Sequence, residues 1–372
     1  MPLIAFVDGL PYTYARERQA SWMSNASVSA LRPNVGYSSN LHWELFCGLY
    51  PDDLGFFTDW ARKAESRLTV KAISHLLGPL DRIGDAGVVA RKVFDKFVFR
   101  EPALANIPSR FRKLFSNQAS YLLASTPSAS RIPHTQGYTF VLQDEGNVPF
   151  EENDRNLRCQ IESEAVDVFT AFSFADAIGH RLGRGEAYDR ELDLHMNALR
   201  RTFDRYLGIN PEQEVLLISD HGMSTVHDQT DLSLESKFGR QSETRYIAYT
   251  DTAILRVFIH DEHLIDGMAN YLSSRTDGHL LNDHERSQNG VVSRRHGDLI
   301  FVLNEGIVFG DNWFGKSLRR QKGRPYGMHG FWPTGLDQYG VIYSLNRPAP
   351  LAEEYSYSEA HKLVQRAILG GR

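Results

Sequence analysis

Cysteine is nearly absent. Two residues, Cys47 and Cys159, in a chain of 372 cannot build a disulfide framework or a thiolate metal site, and they point to a reducing compartment. Long apolar runs are missing as well: none reaches the roughly 18 residues that a membrane-spanning helix needs. Positive charge is not in excess either. The 41 Lys and Arg against 46 Asp and Glu leave a net charge of −5, so no overall basic field calls for a nucleic-acid polymer as partner. The run Met1–Asp8 lacks the charged start, long apolar stretch and small-residue cleavage site of a secretory signal, and a cytoplasmic location is expected. There is no internal repeat and no low-complexity tract.

What remains is an ordinary globular composition, 42% hydrophobic and 23% charged, long enough for a substantial core. Short apolar runs that end in polar residues alternate with helical patterns. Leu3–Val7 ends at Asp8, Val168–Phe174 stops before Asp176, and Val215–Ile218 ends at Ser219-Asp220-His221-Gly222. Between the last two, Tyr188–Leu207 repeats apolar residues at three- and four-residue spacing among charges, as a surface helix does. Strand, helix and strand in succession predict an α/β fold with a central, mostly parallel sheet sandwiched by helices. Ligands of such sheets bind at the carboxyl ends of the strands, where these acids and histidines fall.

Two stretches read as insertions. Residues 60–131 hold thirteen Lys and Arg against five Asp and Glu, with helical patterns at Val70–Leu77, Val88–Phe99 and Ser109–Leu123. This basic helical insertion is either a solvated subdomain or a cap, with Arg110, Arg112 and Lys113 drawing in an anionic substrate or touching a membrane surface. Residues 225–320 form the other, with strand-like runs Ile254–Ile259 and Leu299–Leu303 flanking a helix at His263–Ser274. The expected organisation is a catalytic core of 1–59 and 132–345, the insertion 60–131, and a C-terminal segment 346–372 packing on the core.

Five separated segments carry chemistry: Asp8-Gly9, Asn34–Asn40 with Ser38, Asp176-Ala-Ile-Gly179-His180, Ser219–Met223, and Tyr326-Gly-Met-His329-Gly330. Carboxylates and imidazoles suit zinc, manganese and similar ions. Asp8, Asp176, Asp220, His180, His221 and His329 divide into two three-ligand sites with open positions. Paired ions clamp the attacking and leaving oxygens of an in-line displacement, and a hydroxyl at such a site becomes a nucleophile. Singly, each segment is more ordinary: a strand-end Asp-Gly is a turn, Asp-x-x-x-His a surface pair, and Asp-His-Gly a helix-capping turn. Together and in this order they suit phosphoryl transfer.

That order resembles the alkaline phosphatase superfamily, and within it the type I phosphodiesterase/nucleotide pyrophosphatase branch, from Asp8 to Gly330. Asp8-Gly9 matches the opening Asp-Gly. The branch nucleophile lies ten residues before the Gly of a Thr-Gly-Leu-Tyr-Pro signature, here Cys47-Gly48-Leu49-Tyr50-Pro51, which selects Ser38, with Ser39 its adjacent alternative. Ala175-Asp176-Ala-Ile-Gly179-His180 matches Pro-Asp-x-x-Gly-His, Ser219–Met223 matches Ser-Asp-His-Gly-Met unchanged, and Gly327-Met-His329-Gly330 matches Gly-x-His-Gly. The resemblance implies an alkaline phosphatase-like α/β fold. It implies one ion on Asp176, His180 and His329 and a second on Asp8, Asp220, His221 and the Ser38 oxygen. The expected ions are zinc, with manganese as the alternative.

The match departs in places. Ser39-Asn40-Leu41 stands where Phe-Pro-Asn usually follows the nucleophile. Asp59 takes the place of an Asn that hydrogen-bonds a phosphoryl oxygen, and a carboxylate there would repel the substrate unless protonated, so either Thr58 or Trp60 faces the site, or Asp59 is turned away, or the substrate differs. Leu54-Gly55 replaces His-Gly. Asp59, His42 and Arg256 are the candidate substrate contacts, Arg256 as a bidentate clamp. A sulfatase is unlike this chain, since Ser38-Ser-Asn-Leu-His42 lacks the required Pro and Arg. The expected function is a two-metal hydrolase that cleaves a phosphodiester or pyrophosphate bond through a phosphoserine, on a nucleotide- or glycolipid-like substrate. A phosphomonoesterase or phosphotransferase on the same site is the alternative, and a catalytically silent binding protein the remote one.

Overall fold

Leu3–Val7 buries all five of its side chains, as only a strand covered on both faces does. The structure, a computed structural model, describes residues 3–22, 26–58, 60–62, 114–117, 139–141, 149–163, 168–309, 326–346 and 351–368, with Ala72, Val93 and Phe111 singly. Two compact units result, one of residues 1–49, 123–227 and 325–372, the other of residues 50–122 and 228–324.

The first unit holds a seven-stranded sheet in the order 354–355, 26–31, 340–345, 215–218, 3–7, 168–172, 139–141. Leu3–Val7 is parallel to both its neighbours, and Gly340–Leu345 is antiparallel to both of its own. Period-two alternation splits each central strand between two apolar layers. Leu3, Ala5, Val7, Val215 and Leu217 face a layer covered by helices Tyr12–Trp22, Phe150–Glu162, Phe174–Leu182 and Glu186–Ile209. Ile4, Phe6, Leu216 and Ile218 face the opposite layer, under helices Ser38–Cys47 and Tyr357–Ile368. The expected α/β architecture is therefore present. The strand expected over Val168–Phe174 ends at Phe172, and Phe174 instead opens a helix.

This layering positions the chemistry. Three adjacent parallel strands, 168–172, 3–7 and 215–218, end level with one another: Val7 is opposite Phe172 and Phe6 opposite Ile218. The polar residues that follow emerge at one rim, between the Ser38 helix on one face and the Asp176 helix on the other.

The second unit contains a four-stranded antiparallel sheet in the order 246–250, 254–259, 299–303, 278–280 and a helix Ile265–Ser273. Phe111, Phe115, Ile247, Tyr249 and Phe258 form an apolar cluster there. The expected strands 254–259 and 299–303 are as read, and the helix is trimmed at both ends. The helix expected over Ser109–Leu123 is contradicted where the structure describes it, since Phe115–Asn117 is a strand paired antiparallel with Trp60–Arg62. Nearly all of Val70–Leu77 and Val88–Phe99, with Arg110, Arg112, Lys113 and Asp59, lies outside the described residues. Among the described residues no helix is long and apolar enough to cross a membrane.

Candidate active site

Ser38 is the first residue of helix Ser38–Cys47. A helix start leaves N–H groups without intrahelical partners and carries the positive end of the helix dipole, so it suits an anion beside the hydroxyl. The far end of the helix is held as firmly. Gly48 closes it in a left-handed conformation, His361 Nδ1 lies 3.1 Å from the Leu45 carbonyl, and Gln365 donates to the Phe46 carbonyl at 3.1 Å. The helix Tyr357–Ile368 thus fixes the helix that carries Ser38.

Backbone contacts weld the three strand ends together. Asp8 N–H donates to the Phe172 carbonyl at 2.8 Å, and Asp176 N–H donates to the Asp8 carbonyl at 3.0 Å. The Ser219 hydroxyl accepts from Leu10 N–H and donates to the His221 carbonyl, both at 2.8 Å. Gly9 makes the turn at φ +72°, where an added Cβ would lie 2.8 Å from the Asp176 Cα. A side chain there would push Asp176 away from Asp8, so the Gly of the Asp-Gly pair is a packing requirement as well as a turn residue.

Asp176 and His180 lie one turn apart on helix Phe174–Leu182, hence on one face. His180 Nε2 and His329 Nε2 lie 3.2 and 3.5 Å from Asp176 Oδ1. His329 arrives on a short antiparallel ladder, Gly327–Met328 against Ser224–Thr225, which ties the last motif to the segment after His221. Gly327 admits this approach, since a Cβ there would meet the Gly179 carbonyl at 2.3 Å. His180 Nδ1 lies 3.0 Å from the Gly327 carbonyl, which fixes Nδ1 as the protonated nitrogen and turns the Nε2 lone pair inward.

His221 is set the same way. Its Nδ1 faces the Gly222 carbonyl at 2.8 Å, and its ring stacks on His329 at a centroid distance of 3.6 Å. Nε2 then lies 3.0 Å from Ser38 Oγ, 3.3 Å from Asp8 Oδ1 and 3.5 Å from Asp220 Oδ2. Ser38 Oγ is 3.3 Å from Asp8 Oδ1, whereas the neighbouring Ser39 hydroxyl is buried without a hydrogen-bond partner.

Crowding of like charge governs the electrostatics. Burial and the charges of Asp220 and Asp176 push the Asp8 carboxyl up to about 7. Burial opposes a charge on His221, yet Asp220, Asp8 and Asp176 outweigh it and lift the imidazole to about 10. Burial and the neighbouring His221, His180 and His42 hold His329 well below its usual value, so its ring is a neutral donor.

The donor set fits divalent ions. A tetrahedral ion with bonds of about 2.0–2.1 Å separates its donor atoms by about 3.3–3.4 Å, and the spacings above run from 3.0 to 3.5 Å. Asp176 Oδ1 and Asp220 Oδ2 are closed to solvent with only histidine nitrogens beside them, at 3.2 to 3.5 Å, and a buried carboxylate oxygen so placed is well served by a cation. Asp176, His180 and His329 form one set of converging ligand atoms, Asp8, Asp176 and His221 form an adjoining one, and Asp8, His42 and Asp220 form a third. The structure therefore gathers all seven expected residues, Ser38 included, in the first unit.

The two other described candidates sit differently. His42 Nε2 is closed to solvent and lies 3.2 Å from Asp220 Oδ2. Arg256 belongs to the second unit, on strand Ile254–Ile259, buried with its guanidinium 4.6 Å from the Tyr249 ring centre.

Sequence reasoning missed a buried acid. Glu44 lies on the Ser38 helix and accepts from Asn34 Nδ2 at 2.5 Å and Asn40 Nδ2 at 2.7 Å, while Asn40 Oδ1 accepts the Tyr37 N–H at 3.2 Å. The available signal was an acid beside Leu41 and Leu45 on an apolar helix face. This network ties the 34–37 loop to the first turn below Ser38. Burial pushes Glu44 from its ordinary 4.5 up to about 8, although both amides favour the carboxylate. Between those values the unfolded chain has released a proton that the native state keeps, so this group's contribution to stability falls as pH rises from about 4.5 to about 8. Relative to Glu44→Gln, which cannot titrate, wild-type stability in chemical denaturation should decline over that window. A flat or rising difference would contradict the assignment.

With this geometry established, comparison places the chain. The core is alkaline phosphatase-like, and the family that the chain matches is one of phosphoric ester hydrolases. The family described as Type I phosphodiesterase / nucleotide pyrophosphatase matches residues 145–332, and the chain belongs to that family. Among solved structures, the murine ectonucleotide pyrophosphatase / phosphodiesterase 5 matches with a TM-score of 0.64 at 10% identity, over 99% of this chain and 95% of that one. An inactive variant of it in complex with AMP gives a TM-score of 0.64 at 11% identity, over 99% and 95% of the two chains. The human counterpart gives 0.62 at 11% identity, again over 99% and 95%. At these identities the likeness concerns the fold. No curated protein matches the chain.

Proposed function

We propose that the protein hydrolyses a phosphodiester or pyrophosphate bond of a nucleotide-like substrate, with Ser38 as nucleophile and two divalent ions, zinc in the first instance, on the residues gathered at the strand ends. The observation that carries this reading is the position of Ser38 Oγ, 3.0 Å from His221 Nε2 and 3.3 Å from Asp8 Oδ1 at a helix start. Asp176, His180 and His329 would hold one ion, and Asp8, Asp220, His221 and Ser38 the other. When bound, such ions neutralise charge on the attacking and leaving oxygens and make the serine hydroxyl easier to deprotonate. Ser38 Oγ forms a bond to phosphorus as the bond to the leaving oxygen breaks, and the leaving group departs with a proton as an alcohol or phosphate. Water then attacks the phosphoserine diester, regenerating the Ser38 hydroxyl and releasing a phosphomonoester. The N–H groups of the helix start face the phosphoryl oxygens in both steps.

The AMP complex of the murine neighbour supports a nucleotide-like substrate, and family membership supports a diester over a monoester. A cytoplasmic location is part of the same proposal and rests on Cys47 and Cys159, both free thiols. Zinc- and manganese-loaded protein should hydrolyse bis-p-nitrophenyl phosphate at least tenfold faster than p-nitrophenyl phosphate, a gap of about 1.4 kcal/mol. A preference for the monoester would keep the site and make the protein a phosphatase.

A further inference from the structure

His42 has the burial and the bearing of a residue that acts on a ligand rather than on the substrate. It lies four positions after Ser38 on the same helix, so both project from one face. Its ring meets the Phe6 ring edge-on at 4.8 Å and lies 6.4 Å from Phe46, which fixes its orientation within the apolar layer under the sheet. Its Nε2 is inaccessible to solvent and points to Asp220 Oδ2 at 3.2 Å.

The Asp220 side chain is fully buried. Its Oδ1 lies 3.4 Å from Gly9 N–H, and its backbone carbonyl accepts the Tyr357 hydroxyl at 2.5 Å. Oδ2 lies between His42 Nε2, at 3.2 Å, and His221 Nε2, at 3.5 Å. Both histidines stand near the tetrahedral edge distance from this oxygen, but His221 Nε2 also lies 3.0 Å from Ser38 Oγ and 3.3 Å from Asp8 Oδ1, whereas His42 approaches from the helix side, its ring held edge-on to Phe6. A carboxylate oxygen has lone pairs for one ion and one N–H donor. Donors behind ligating carboxylates orient them, and removing such a partner typically lowers metal affinity 10–100-fold.

We propose that His42 is a positioning residue that holds Asp220 Oδ2 toward the second ion and thereby sets the affinity of that one site. This rests on the two-metal reading above. It also makes helix Ser38–Cys47 carry both the nucleophile and the support of one of its neighbours, so the two stay in register.

The test is zinc affinity, read by competition with a chromophoric chelator on full-length wild-type protein and three variants. His42→Ala should weaken one of two zinc sites 10–100-fold and leave the other unchanged. His42→Gln, whose amide nitrogen reaches the place of Nε2, should recover most of that loss, and His42→Asn, whose amide stops short, should not. If the alanine variant fails to fold, the asparagine and glutamine pair carries the comparison. Equal zinc affinities across the set would overturn the proposal. So would weaker inhibition by inorganic phosphate with zinc binding intact, which would assign His42 to the substrate. Wild-type protein that bound fewer than two zinc ions would overturn the two-metal reading itself, a separate result.

Discussion

Ser38→Ala should reduce kcat for a phosphodiester by roughly 10⁴-fold or more, equivalent to about 5.5 kcal/mol of transition-state stabilisation. Alanine removes the attacking oxygen, and a water at the same place lacks the rigid placement that helix Ser38–Cys47 gives the hydroxyl. The loss should appear in kcat more than in KM, because the helix N-terminus remains to bind the phosphoryl group. Ser39→Ala is the control. Its hydroxyl is buried without a hydrogen-bond partner, whereas Ser38 Oγ lies 3.0 Å from His221 Nε2 and 3.3 Å from Asp8 Oδ1, so activity should stay within a few fold of wild type. Steady-state rates on bis-p-nitrophenyl phosphate check both. A Ser39 variant as impaired as the Ser38 variant would move the nucleophile by one residue and undo the geometry argued from His221 and Asp8.

Removing the ions should be as costly, and its effect on stability should be large as well. Asp8 and Asp220 are buried, and Asp176 lies partly buried beside them. Burial first, and then repulsion from Asp220 and Asp176, raises the Asp8 carboxyl. Without a cation the rim carries this repulsion alone. A metal-stripped sample should be inactive. Free zinc at a thousandfold excess over Kd should stabilise it by about 4 kcal/mol for each occupied site. Calorimetric scans of stripped and reloaded protein, beside Asp176→Asn and Asp220→Asn, test this. Each variant should lose about half of the zinc-dependent rise in Tm, the share of its own site. A stripped protein with unchanged Tm and full activity would rule out the cation site.

Much of this was legible in the sequence because it is written in local signals. The runs Leu3–Val7 and Val215–Ile218 are strands with the expected ends, and the acids and histidines beyond them meet at one rim. Asp176 and His180 needed only helical spacing to be paired. What escaped depends on contacts distant in the chain. The two stretches read as separate insertions contribute to a single second unit, a pairing that no local periodicity announces. Glu44 draws no notice in the sequence, because its partners Asn34 and Asn40 close around it only in the fold. His42 reads from the sequence as a packed or solvated histidine or a phosphate contact, and only its place between Phe6 and Asp220 decides for packing. Gly327 reads as a loop residue until its approach to the Gly179 carbonyl is known. In each case the residue type was visible, and the partner that gives it meaning lay on another element.

The claim on which the account turns is that Ser38 attacks phosphorus and carries it covalently before water does. The stereochemical course of hydrolysis of a diester with a chiral phosphorothioate centre measures this directly. Two successive in-line displacements, first by Ser38 and then by water, predict overall retention at phosphorus. Inversion would mean a single direct attack by water, and would contradict Ser38 as the nucleophile whatever ions the site holds.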